Sequence, residues 1–160
     1  MGLDMYLNRK HYYGGEFRKE KWSKGHTLKL GGEFARKRKL NINSVDSISQ
    51  SVAYWRKANQ IHNWFVSECA DGVDNCQPIR VHIDQLQELA DTIEKVLKKE
   101  EKPEDVLPNA EGFFFGNTEY DKYYYEDLTG TLEILKEIFA YEKELNEQEI
   151  SSTYIYQASW

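Results

Sequence analysis

The residues best suited to chemistry run from Tyr54 to Phe65: Tyr-Trp-Arg-Lys-Ala-Asn-Gln-Ile-His-Asn-Trp-Phe. At helical spacing Tyr54, Ala58, Ile61 and Phe65 form one apolar face, and Trp55, Asn59, His62 and Val66 form the adjacent one. A solvent-facing helix does not need two tryptophans, and a core helix does not need Asn59 and His62 beside Trp55. A pocket wall could use them all: Trp55 as a stacking platform, Asn59 as a reader of a base or amide edge, His62 and Arg56 as donors to an anion, with Tyr54 also facing the ligand. The competing reading half-buries Trp55 and has Asn59 and His62 hydrogen-bond the sheet or a loop.

A second constellation is Phe113-Phe114-Phe115-Gly116-Asn117-Thr118-Glu119-Tyr120-Asp121. It reads as a strand end meeting a helix N-terminus, where free backbone N–H groups favour anions. Glu119 and Asp121 already satisfy that preference, so a pocket lined by Glu119, Tyr120 and Asp121 suits a neutral or cationic group. The two carboxylates could also serve as acid and base with His62, giving a hydrolase or transferase. Ordinary capping predicts acids in the same places.

Standard catalytic signatures are absent from the chain: no Walker loop, G-x-G-x-x-G, G-x-S-x-G, H-E-x-x-H or C-x-x-C occurs. His62, Cys69, Cys76 and His82 match no zinc spacing. Two reduced thiols and two ordinary histidines are expected, with no metal and no cofactor.

Charge is divided unevenly. Residues 9–40 hold 11 Lys/Arg against three Asp/Glu, a balance of +8, and the rest of the chain balances at −14 to leave the total of −6. His11, Tyr12, Tyr13, Phe17, Trp22, His26 and Phe34 interleave with the basic residues. Basic charge attracts phosphate and aromatic faces stack, so this segment suits a small anionic ligand or an acidic partner protein. Arg36, Lys37, Arg38 and Lys39 are its densest partner-binding run. A nucleic acid is admitted but not favoured, given the acidic total. A solvated hairpin that neutralises an acidic body explains the same residues.

The elements that must position these groups follow from periodicity. Leu3, Met5 and Leu7 alternate with Asp4, Tyr6 and Asn8 as a half-buried strand. Gly14-Gly15 and Gly31-Gly32 punctuate the basic segment as a loop or irregular hairpin arm. A helix is expected over about 47–69, ended by Asp71-Gly72. A short strand over 78–82 follows, then a helix from about 85 with an Asp84/Gln87 capping box and the stripe Leu86, Leu89, Ile93, Val96, Leu97. After an acidic loop at 101–111, Gly112 to Gly116 reads as a strand covered on both faces. Thr118 caps a long helix carrying Tyr120, Tyr124, Leu128, Leu132, Leu135 and Phe139. Thr153 to Trp160 is a terminal strand, expected beside the first. The fold class is α+β, with three principal helices on a small mixed or antiparallel sheet.

The 160 residues are 40% hydrophobic and 30% charged, which suits a single domain over 1–160 that can bury a core. The longest apolar runs span a few residues, so no membrane helix is expected, and Met1-Gly2-Leu3-Asp4 lacks the basic start of a signal peptide.

Several segments together resemble one family. They are the start Met-Gly-Leu-Asp-Met-Tyr-Leu, the run Val52 to Asn59 with Ile61-His62 and Trp64-Phe65, Asp71-Gly72-Val73-Asp74 with Cys76, Gly112 to Gly116 with Thr118 to Asp121, and the final Ser159-Trp160. They are similar to a family of small uncharacterised proteins encoded by phages and prophages. The resemblance spans nearly the whole chain and is weakest over 9–40. It implies a protein acting in the cytoplasm of a bacterial host, as a non-catalytic binder that inhibits host defence by sequestering a nucleotide-like anion or by occupying a host protein. It supplies no catalytic residue.

Overall fold

The computed structural model of the chain describes residues 2–12, 47–112, 115–147 and 152–160. Strand β1 spans Asp4–Tyr12, β2 Ser47–Arg56, β3 Ile79–Val81 and β4 Ser152–Ser159. They form one antiparallel sheet in the order β2-β1-β4-β3. Helices α1 (Asn59–Cys69), α2 (Ile83–Leu97), the one-turn α3 (Pro103–Val106) and α4 (Lys122–Glu147) complete an α+β fold among the described residues.

The alternation of β1 decides the layering. Leu3, Met5 and Leu7 are fully buried, while Tyr6 between them is exposed. Ala53 and Trp55 of β2, Ile79 and Val81 of β3, and Tyr154, Tyr156 and Ala158 of β4 join them on the inner face. That face packs on Ile61 and Phe65 of α1, on Leu86, Leu89 and Ile93 of α2, and on Leu128, Leu132 and Leu135 of α4. Each such side chain contributes about 1.5–3 kcal/mol when fully buried. Phe65 stacks on Tyr156 with ring centroids 4.0 Å apart, so α1 is locked to the middle of the sheet. The terminal strand lies beside β1 in the expected place, running antiparallel from Asp4↔Ser159 to His11↔Ser152.

Several sequence expectations are corrected. The helix placed over 47–69 begins only at Asn59, and Tyr54, Trp55 and Arg56 belong to β2. Ala53 and Trp55 point inward and Tyr54 and Arg56 outward, the period-2 pattern of a strand. The break is Lys57, whose φ of 62° is left-handed; its N–H donates to Leu3 O and its carbonyl accepts from Asn59 N–H. The strand expected over 112–116 is absent at its described residues, where Gly112, Phe115 and Gly116 are irregular chain. Gly116 has a φ of 95°, and a Cβ there would sit 3.3 Å from Lys57 Cβ, so the close approach of these two turns requires glycine. The capping box of α2 is His82 with Gln85, not Asp84 with Gln87: Gln85 Oε1 accepts the His82 N–H at 2.9 Å. Asp121, rather than Thr118, caps α4, accepting from the N–H groups of Tyr123 and Tyr124. The basic segment begins inside the sheet, with Arg9 and His11 buried on the inner face of β1. The arm expected over the rest of 9–40, including Arg36, Lys37, Arg38 and Lys39, lies outside the described residues.

Candidate functional site

The eight candidate ligand-facing residues divide into three groups. Tyr54 and Arg56 stand on the open face of the sheet. Tyr54 donates to Asp4 Oδ1 at 2.6 Å, Arg56 Nη1 is 3.9 Å from the same oxygen, and the Tyr54 ring lies 5.2 Å from that of Tyr6, its cross-strand partner. The hydrogen bond to Asp4 raises the Tyr54 hydroxyl above its usual range.

Trp55, Asn59 and His62 lie on the other side, packed shut. Trp55 is 6% exposed, and its Nε1–H donates to Thr131 Oγ1 of α4 at 2.9 Å. Asn59 is the staple of the stretches 108–112 and 115–117: its Nδ2 donates to Phe115 O at 3.2 Å and Asn117 O at 2.8 Å, and its Oδ1 accepts from Ala110 N–H at 3.0 Å. One turn on, Asn63 donates to Pro108 O of the first stretch.

His62 is 2% exposed, with both ring nitrogens engaged. Nδ1 is 2.7 Å from the Tyr156 hydroxyl and Nε2 is 3.0 Å from Asp74 Oδ2. Burial first, then the charge of Asp74, holds the Tyr156 hydroxyl far above its ordinary range, so it keeps its proton and donates to Nδ1. The Asp74 carboxylate accepts from Nε2–H, and one tautomer satisfies the whole chain. Asp74 also accepts from Trp160 Nε1 at 3.3 Å, which ties down the end of β4. A carboxylate–imidazole–hydroxyl series has the order of a nucleophilic triad. Here its hydroxyl belongs to a residue with no exposed surface, and the space beside it holds no water-sized void.

Glu119, Tyr120 and Asp121 form the third group, ahead of α4. Glu119 and Tyr120 are exposed, and Asp121 is spent on the cap. The carboxylate that meets His62 is therefore Asp74, and the structure pairs the imidazole with neither Glu119 nor Asp121. Cys69 is half-buried; burial, then Glu68 and Glu88, pushes its thiol up to about 12. Among the described residues no group of His, Cys, Asp and Glu is placed to hold a metal ion, and no helix is long and apolar enough to cross a membrane.

Sequence reading missed the other polar centre, around Arg9. Its guanidinium is buried and stacks over the Tyr141 ring at 3.6 Å, while Nη2 donates to Gln50 Oε1 at 2.8 Å. Tyr154, opposite Arg9 on β4, donates to Glu142 Oε1 at 2.5 Å, and Ser152 donates to the same oxygen. Continuing the Leu3-Met5-Leu7 alternation by two residues would have placed Arg9 inward. Beside it, between β2 and α4, opens a cleft of about 460 Å³. No protein-family model matches this chain, and neither a curated protein nor a solved structure matches it.

Proposed function

We propose that the chain is a non-catalytic binding protein, an accessory protein of phage type acting in a bacterial host cell. The observation that carries the reading is the engagement of His62. Both ring nitrogens are committed to partners of the fold, and its hydroxyl partner has no exposed surface. A hydrolase or transferase built on His62 with Glu119 or Asp121 lacks the contacts it needs.

The ligand is a small anionic molecule, and interference with host defence is the outcome of holding it. A nucleotide-like ligand no longer has the Trp55–Asn59–His62 wall, which is filled by the protein itself. It keeps Tyr54, with Tyr6 and Arg56, on the open sheet face. Thermal-shift measurements against mono-, di- and cyclic nucleotides test this version, and no shift with any of them removes it. Turnover of any such compound that His62→Gln abolishes would overturn the non-catalytic reading.

A second reading rests on the +8 segment set in an acidic body. There the 9–40 residues act as an arm whose Arg36, Lys37, Arg38 and Lys39 dock on an acidic host protein. Capture from host lysate that weakens with salt and with charge reversal at these four positions is the expected result.

A further inference from the structure

We propose that the cleft between β2 and α4 is a binding site for a small zwitterion, a molecule with a carboxylate or phosphate at one end and an ammonium at the other. This rests on the binding-protein reading and adds a second location, apart from Tyr54, Tyr6 and Arg56 on the open sheet face. The cleft of about 460 Å³ falls in the range of roughly 300–1,000 Å³ that small-molecule sites occupy. Its wall carries Arg9, Gln50 and Val52 from the sheet and Glu137, Tyr141 and Glu144 from α4.

Arg9 anchors the site. Its side chain is 4% exposed, yet its Nε donor has no hydrogen-bond partner. Nor does any carboxylate of the described residues reach it within ion-pairing distance; Glu142 approaches only through the Tyr154 hydroxyl. Among the described residues, this buried guanidinium has given up its hydration without an ion pair in return. Gln50 and Tyr141 fix its plane, so the group is held rigid at the wall of the cleft, where its charge favours a carboxylate or phosphate entering beside it. The acidic side of the cleft sets the rest of the ligand. Glu137 and Glu144 lie seven residues apart on α4, about two turns, and so share one face with Tyr141 between them. They repel a simple polyanion and attract an ammonium. Val52 supplies apolar surface for the stem that joins the two charges.

The test is a titration of the whole ¹⁵N-labelled chain, following the Arg9 Nε–Hε resonance. The probes are the straight-chain amino carboxylates from β-alanine to aminohexanoate, phosphoethanolamine for the phosphate head, and the matching simple carboxylates and amines. At least one zwitterion is expected to move the resonance saturably and to bind about tenfold more tightly than its singly charged analogues. Glu137→Gln with Glu144→Gln, both at the cleft wall and outside the core, is expected to remove about the same factor. A resonance that no zwitterion moves overturns the inference, as does a simple carboxylate that binds equally well or a double variant that binds unchanged. If no zwitterion binds but salt-sensitive capture of a host protein persists, the cleft assignment fails and the binding-protein reading stands. If both fail, both are withdrawn.

Discussion

Two buried polar centres lie against the same sheet and have opposite character. Around His62 the side-chain donors and acceptors that define the centre are partnered: Tyr156 and Asp74 close on the imidazole, three backbone groups close on Asn59, and Thr131 closes on Trp55. Around Arg9 the partnering stops short, with one buried donor unmet and an open cleft beside it. A closed network holds a fold together, and an unclosed one keeps interaction energy for something that arrives later. Polar and aromatic density in the sequence marks the first kind of centre more loudly than the second.

The comparison can be broken by substitution, beginning where the largest change is expected. Asn59→Ala strips three hydrogen bonds from the backbone of Ala110, Phe115 and Asn117 and should cost about 2–4 kcal/mol in urea unfolding. A neutral result would mean that the closed centre is not closed. Trp55→Phe keeps the ring in the core but abandons Thr131, and about 1–2 kcal/mol is expected to be lost. A double-mutant cycle with Thr131→Val isolates that bond. Arg9→Met should change stability by no more than about 1 kcal/mol, because an apolar chain of similar length replaces a charge that no carboxylate of the described residues pairs. A loss as large as that of Asn59→Ala would make Arg9 part of the scaffold.

Smaller effects sharpen the picture of α4. Burial, then the charges of Glu126 and Asp121, hold the Asp127 carboxyl above its usual range, against the opposing hydrogen bond from Gln60. The folded chain therefore binds that proton more tightly than the unfolded one, and the stability this gives is full at acid pH and lost as pH rises through the folded value. Asp127→Asn keeps an acceptor for Gln60 and should raise stability at pH 7 by about 1 kcal/mol or less, with the gain vanishing near about pH 3. Cys69, with its thiol raised to about 12, should alkylate more slowly in the native chain at pH 8 than after unfolding, as peptide mass spectrometry of iodoacetamide-treated samples would read.

The sequence disclosed most of the frame. Alternation in Leu3-Met5-Leu7 announced the first strand, the Thr153 to Trp160 run with its final tryptophan announced a last strand expected beside it, and the Leu86-to-Leu97 stripe announced α2. It misled where two periods coincide. Tyr54, Ala58, Ile61 and Phe65 fit a helix, yet the left-handed turn at Lys57 divides that run into a strand and a helix, and nothing local in Lys57 signals it. The site was harder still. His62 and Tyr156 are 94 residues apart and Trp55 and Thr131 are 76 apart, so their partnership exists only in the fold. Arg9 is legible in principle, because its place in the alternation puts it inside, but the run of basic neighbours that follows masks that signal.

The central claim is that the open centre binds and the closed one does not. Titration calorimetry with the tightest amino carboxylate should show Trp55→Phe binding like the original chain, and Glu137→Gln with Glu144→Gln binding about tenfold more weakly. A ligand lost with Trp55→Phe and kept by the Glu137 and Glu144 pair would contradict the account.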